Sequence, residues 1–285
     1  MGSGSFAYRL VLGYTILVGK QYYFLAGLHR SGNTLLSSIL NQNPEVYSSP
    51  ISTLVEHMWQ ADIILNNFEA SNANKENRLR SKTLISNMPK IYYSDTEKHI
   101  IFDRSKVWIN PDNLCMIKKY ITKNPKIVFT TRPILETMVS YIAVAQGQII
   151  DDMNNSNFAS NKDLPVNDNI VEFFFSEHCN LGLQLRWVFE SIDNPENAGM
   201  IHIVKYEDLL NTPQETMDKI YDFLEIERFQ HNFKNIRKIE EYNEAAAGLP
   251  KDLHKVRRVL GKSDIRVEDY LTPRSIEKYK DVRYF

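Results

Sequence analysis

The stretch Tyr22–Leu36, YYFLAGLHRSGNTLL, decides the fold. Its first five residues, Tyr22 to Ala26, form a short apolar run that ends at Gly27, the pattern of a buried strand. From Thr34 to Gln42 the apolar residues Leu35, Leu36, Ile39 and Leu40 fall on one helical face. Pro44 lies just past the expected helix end. The loop between them, Gly27-Leu-His-Arg-Ser-Gly-Asn-Thr34, therefore runs from a strand into a helix N-terminus. Unpaired N–H groups and the positive end of the helix dipole meet there, which suits a phosphate or sulfate. Gly27 and Gly32 allow close backbone approach. Ser31 and Thr34 add hydroxyls, and Arg30 adds a cation. Gly27, Gly32 and Thr34 also match the nucleotide-binding P-loop, but Asn33 stands where that motif has lysine. Without that lysine on the β and γ phosphates, ordinary ATP or GTP hydrolysis is disfavoured.

Working outward, Val46–Ser49, His99–Asp103, Lys126–Thr131 and Met200–Val204 read as further short strands. Helical periodicity covers Ser52–Phe68, Lys75–Met88, Pro111–Ile121, Pro133 to about Gln146, Asn169–Ile192, Pro213–Leu224 and Pro273–Lys280. Glu69–Asn74 is polar and reads as a loop. The Asn- and Ser-rich stretch within 151–165 reads as a mobile loop or lid. Short apolar strands alternating with helices give an α/β fold, a central parallel sheet flanked by helices. The expected organisation is an N-terminal extension over 1–21, its first five residues resembling an expression tag, followed by one domain over 22–285.

Composition narrows the function. Lys+Arg 34 against Asp+Glu 35 gives a net charge of −1, which argues against a surface built to grip nucleic acid. Two cysteines, Cys115 and Cys179, exclude a disulfide scaffold and a structural zinc site, and fit a reduced, cytoplasmic setting. The apolar run Leu10–Val18 is shorter than the ~20 residues that span a bilayer.

Phe24–Leu36 resembles the 5′-phosphosulfate loop of sulfotransferases that use 3′-phosphoadenosine 5′-phosphosulfate (PAPS). The likeness is nearest to the bacterial and protein-tyrosine branches, with His29 where proline is usual and Asn33 where serine or threonine is usual. The resemblance extends over roughly residues 22–280 and implies a P-loop NTPase-like sulfotransferase architecture. It assigns Arg30, Ser31, Gly32, Asn33 and Thr34 to the cofactor. Arg132 at a strand end and Ser140 eight residues later keep the family's spacing for the 3′-phosphate. Arg suits that task through its planar fork of donors. Val204-Lys-Tyr-Glu-Asp-Leu209 resembles the segment whose tyrosine lies near adenine, which points to Tyr206. Lys251–Lys262 holds five cations against Asp252, a local charge of +4. The resemblance makes Arg257, Arg258 and Lys262 candidates for closing over the 3′-phosphate.

Sulfuryl transfer needs alignment, charge stabilisation and a base for the acceptor hydroxyl. No metal is implied, because no His/Cys/carboxylate group has ligand spacing. Arg30 is one candidate cation. Phe102-Asp-Arg-Ser105 resembles a family segment whose lysine assists the sulfuryl group, and Arg104 stands in its place. Arg104 carries permanent charge but cannot give up a proton. The protein-tyrosine branch has a glutamate about twenty residues past the loop cation, where this chain has Pro50-Ile-Ser52. Asp103, Glu56 and His57 remain as bases. Asp103 is preferred narrowly, its other reading being a brace for Arg30 or Arg104. Trp59 and Trp108 would suit a flat or sugar-like acceptor, or a core. The expected reaction carries the sulfuryl group from PAPS to a hydroxyl on a carbohydrate, small alcohol or tyrosyl peptide, leaving 3′,5′-adenosine bisphosphate (PAP). Two other readings stay open. One is a degenerate P-loop kinase or NTPase using His99–Asp103 as a magnesium-holding strand. The other is a non-catalytic nucleotide- or anion-binding module.

Overall fold

A computed structural model describes residues 9–11, 14–16, 19–237, 244–246, 256–261 and 264–283. Two short strands, β1 (Arg9–Val11) and β2 (Tyr14–Ile16), pair antiparallel ahead of the main sheet. The expected strand–turn–helix follows as β3 (Gln21–Gly27) and α1 (Asn33–Leu40). The chain continues through β4 (Val46–Ser48), α2 (Leu54–Asn67), α3 (Glu69–Ala73) and α4 (Lys75–Tyr92). Next come β5 (Ile100–Arg104), a 3₁₀ turn over Lys106–Ile109, α5 (Pro111–Tyr120) and β6 (Ile127–Thr131). Three helices, α6 (Ile134–Asn154), α7 (Val166–Phe175) and α8 (Asn180–Asp193), precede β7 (Ile201–Lys205). The chain then forms α9 (Tyr206–Asn211), α10 (Pro213–Leu224) and α11 (Pro273–Tyr279).

Strands β3 to β7 build one parallel sheet in the order β4-β5-β3-β6-β7. β3 is central, and the chain first winds to one side of it and later to the other. Its C-terminal end is thus the switch point where open α/β sheets collect ligands. Period-two alternation divides the core. Phe24 and Ala26 pack on one face with Ile101, Phe129, Trp108 and helices α2 and α4 to α8. Tyr23 and Leu25 pack on the other with Phe102, Val128, α1 and α10.

Four segments depart from the sequence-based expectation. Glu69–Ala73 is a short helix rather than a loop. α6 runs on past Gln146 to Asn154, with a break in helical geometry at Ala145 (φ −138°, ψ 18°). The stretch 151–165 therefore begins inside α6. Its remainder is tied down by Asn169, which accepts from Asn161 N (2.8 Å) and donates to Asn161 O (2.9 Å) and Leu164 O (3.0 Å). Phe158 also meets Phe173 edge-on. Finally, Asn169–Ile192 is two helices, because Ser176 and Cys179 adopt extended backbone between α7 and α8. Gly182 makes the corner possible, since a Cβ there would lie 2.7 Å from Ser176 O and 2.8 Å from Phe174 O.

Candidate active site

The loop between β3 and α1 is held from below. Ser31 is buried, and its hydroxyl donates to Leu28 O (2.6 Å) and lies 2.7 Å from Thr130 Oγ1 on β6. Asn33 turns back and donates Nδ2 to Leu28 O (3.0 Å), closing the loop where a P-loop lysine would reach outward. Gly27 leaves room for this arrangement, as a Cβ there would sit 2.1 Å from Thr130 Oγ1. Gly32 has φ 95° and precedes α1 without a side-chain cap. The first N–H groups of α1 thus have no helix carbonyl to meet and face the strand ends. Ser31 and Asn33, expected to hold the cofactor, shape the loop with their side chains.

The expected 3′-phosphate residues converge. Arg132 is buried, donates Nε to Glu136 Oε2 (3.0 Å) and stacks its guanidinium 4.8 Å over the Tyr206 ring. Tyr206 wedges against the loop, since a Cβ on Gly32 would lie 2.7 Å from its ring. Arg30, with φ 58°, reaches the same place and donates Nε to Ser140 Oγ (3.3 Å). Burial and the nearby Arg132 charge push the Arg30 pKa down. Two guanidinium groups are therefore held together beside a buried hydroxyl, a donor set complementary to a phosphate. Arg30, read from the sequence both as a loop cation for the cofactor and as a catalytic cation, is bonded here to Ser140. Behind it, the Glu207 carboxyl is pushed above its usual range by burial, with Oε1 unpartnered.

At the other end Arg104 donates Nη1 to Thr34 Oγ1 (2.9 Å) in the first turn of α1. The alternation of β5 explains this direction. Arg104 is opposite Leu25 and shares its face, whereas Asp103 is opposite Phe24 and points the other way. Asp103 therefore reaches neither Arg30 nor the loop. Its carboxyl accepts from Ser52 Oγ (2.6 Å), Tyr93 OH (2.6 Å) and Trp108 Nε1 (2.7 Å). Burial raises its pKa, opposed by those three bonds. Both the base and the brace expected of Asp103 are corrected: it is a buried anchor. Trp108 is part of that anchor and wholly buried, whereas Trp59 is exposed on α2.

Glu56 and His57 lie exposed in the first turn of α2, just beyond the C-terminal end of β4. His57 Nε2 lies 3.4 Å from Thr53 Oγ1, which in turn meets Tyr92 OH at 3.2 Å. Neither residue is bonded to the loop. Arg258 donates to Asn235 Oδ1 (3.3 Å), and Arg257 beside it is exposed. The structure does not bring Arg258 to Arg132 through any such bond. Lys262 lies outside the described residues.

One residue escaped the sequence reading. Lys106, two residues past Arg104, hydrogen-bonds through Nζ to His29 Nε2 on the loop. The signals were its spacing from Arg104 and the histidine at a position where the related loops have proline. No group of three or more metal-ligating side chains occurs among the described residues, and no described helix is long and apolar enough to cross a membrane.

The sulfotransferase domain family model matches residues 20–283. The chain belongs to the sulfotransferase family. No curated protein matches it in sequence. Among solved structures, the sulfotransferase domain from the curacin biosynthetic pathway is 14% identical, with 91% of this chain and 97% of that one covered and a TM-score of 0.55. A mouse sulfotransferase complexed with PAP is 16% identical over 90% of this chain and 81% of that one (TM-score 0.49). The sulfotransferase domain of the Synechococcus PCC 7002 olefin synthase is 17% identical over 93% and 89% (TM-score 0.45). The chain is thus a transferase of sulfuryl groups on a P-loop-like α/β fold. Nothing found favours the kinase or binding-module alternatives.

Proposed function

We propose that this sulfotransferase takes its sulfuryl group from PAPS and passes it to a hydroxyl acceptor, releasing PAP. The convergence of Arg30, Arg132 and Ser140 carries this reading, because a buried and a half-buried guanidinium beside a hydroxyl are suited to a 3′-phosphate. The family and the PAP complex of the mouse structure support the same cofactor. Tyr206 closes the wall between the two cofactor ends. The first turn of α1, with Thr34 and Arg104, offers N–H, hydroxyl and guanidinium donors to the 5′-phosphosulfate. PAPS supplies an activated sulfuryl group on a good leaving group. The chain's part is to align it, hold the charge on the leaving phosphate oxygens and exclude water. The acceptor enters over the first two turns of α2, where Glu56, His57 and Trp59 are exposed. The protein works in the cytoplasm, a reading supported by its two free cysteines.

Titration calorimetry with PAP, AMP and ATP tests the cofactor. A charge-assisted hydrogen bond contributes ~1.5–3 kcal/mol, so PAP should bind at least about tenfold more tightly than AMP. Equal affinities for PAP and AMP would remove the 3′-phosphate site from this account.

A further inference from the structure

Of the candidate bases, Glu56 and His57 are exposed on α2 and bonded to neither the loop nor Arg104, the nearest partner of His57 being Thr53. Arg104 is a guanidinium, which does not give up its proton in a protein. Asp103 faces the opposite side of the sheet and is saturated by three donors. Lys106 is different. It lies two residues past Arg104, just after β5, and is exposed, whereas Arg104 is buried and bonded to Thr34 of α1. Its amine is held on the His29 imidazole.

We propose, on top of the PAPS reading above, that Lys106 is the catalytic base and that His29 is the residue positioning it. The neutral amine takes the proton of the acceptor O–H. The acceptor oxygen forms the new O–S bond, and the S–O bond to the 5′-phosphate breaks. Its electron pair stays on the phosphate oxygen of PAP, and the proton leaves later from Nζ to water.

The surroundings favour a neutral amine. Burial among protein atoms, then the Arg104 charge, lower the Lys106 pKa to about 8. His29 stays neutral, its pKa lowered to about 3 by burial first and by Lys106 and Arg30 next, with Gln184 opposing. The other neighbours of His29 are Tyr141 of α6, stacked at 5.7 Å, and Gln184 of α8. Arg30, whose charge reaches His29, is itself faced by Arg132 and Glu244. No carboxylate is bonded to either member of the pair among the described residues. A neutral imidazole can only accept from the ammonium at Nε2, so it orients Nζ without competing for the acceptor's proton.

The experiment has two arms. In the first, side-chain NMR of the full chain follows lysine amines through pH 6–11. One amine should titrate near pH 8, vanish in Lys106→Arg, and shift upward when PAP adds negative charge. If no lysine titrates below about 9.5, the proposal fails. In the second, sulfate transfer from PAPS to N-acetyltyrosine amide, whose phenol stays protonated below about pH 9, is followed against pH. Lys106→Arg and Lys106→Gln should both lose ~10²–10⁴ in kcat, with PAP affinity within about threefold of wild type. His29→Ala should displace the rising limb of the profile by half a pH unit or more. A Lys106→Arg enzyme of near wild-type rate would show that charge alone suffices and overturn the base. A rising limb in the carboxylate range that survives both lysine variants would hand the role to Glu56. Failure of PAP to bind the wild-type chain would instead strike the cofactor reading, and the NMR arm separates the two.

Discussion

The two ends of the cofactor cleft use cations in opposite ways. At the Arg132 end each guanidinium is clamped by flat or short partners: Tyr206 and Glu136 for Arg132, Ser140 for Arg30. Their charge is permanent and their geometry is set before a ligand arrives, so this end can contribute affinity without taking part in the reaction. At the Arg104 end Arg104 bonds the Thr34 hydroxyl, and the second cation is a lysine on a histidine. Of these four cations, Lys106 is the one that can lose its charge near neutral pH. Remote binding groups should therefore govern KM, and groups near the moving sulfuryl should govern kcat.

Substitutions can break that division of labour. Arg104→Ala is expected to have the largest effect, a fall of ~10²–10³ in kcat, because it removes a preorganised charge facing the leaving oxygens. PAP affinity should fall much less. If affinity falls as steeply as rate, the two ends are not separable. Arg132→Ala should do the reverse, weakening PAP about 100-fold for two lost charge-assisted bonds while kcat at saturation stays within about threefold. Calorimetry beside saturating kinetics reads both. Ser140→Ala removes one hydroxyl while leaving both guanidinium groups, and should weaken PAP only about fivefold, sharpening the contrast with Arg132.

Asp103→Asn should touch neither end. It replaces an acceptor oxygen with a donor opposite Ser52, Tyr93 and Trp108, and should lower unfolding stability by ~1–3 kcal/mol. PAP affinity should be unchanged. Chemical denaturation beside PAP titration checks this. A large loss of rate in a fully stable variant would return Asp103 to the reaction.

Much of this was legible in the sequence. Apolar runs such as His99–Asp103 and Lys126–Thr131 mark strands because both faces of the sheet are covered, and Gly27–Thr34 marks the ligand end. The break between α7 and α8 was not legible, because the apolar stripe continues across it and only Gly182 marks the corner. At the site, spacing identified Arg132 and Ser140, yet the reach of Arg30 into their pocket depends on its positive φ, which composition does not announce. The directions of Asp103 and Arg104 could have been read from strand alternation, since adjacent residues on β5 must part. Lys106 needed the loop and the 3₁₀ turn to be seen together, because its partner His29 is 77 residues away.

The Asp103 anchor also bears on how the chain assembles. Its three donors come from the β4–α2 connection (Ser52), the end of α4 (Tyr93) and the 3₁₀ turn after β5 (Trp108). A partly formed sheet that buried Asp103 before all three segments docked would strand a carboxyl without partners, at a cost of several kcal/mol. Such half-built states are thereby depopulated. The β4, α4 and β5 region is bound into one cooperative unit that forms or opens as a whole.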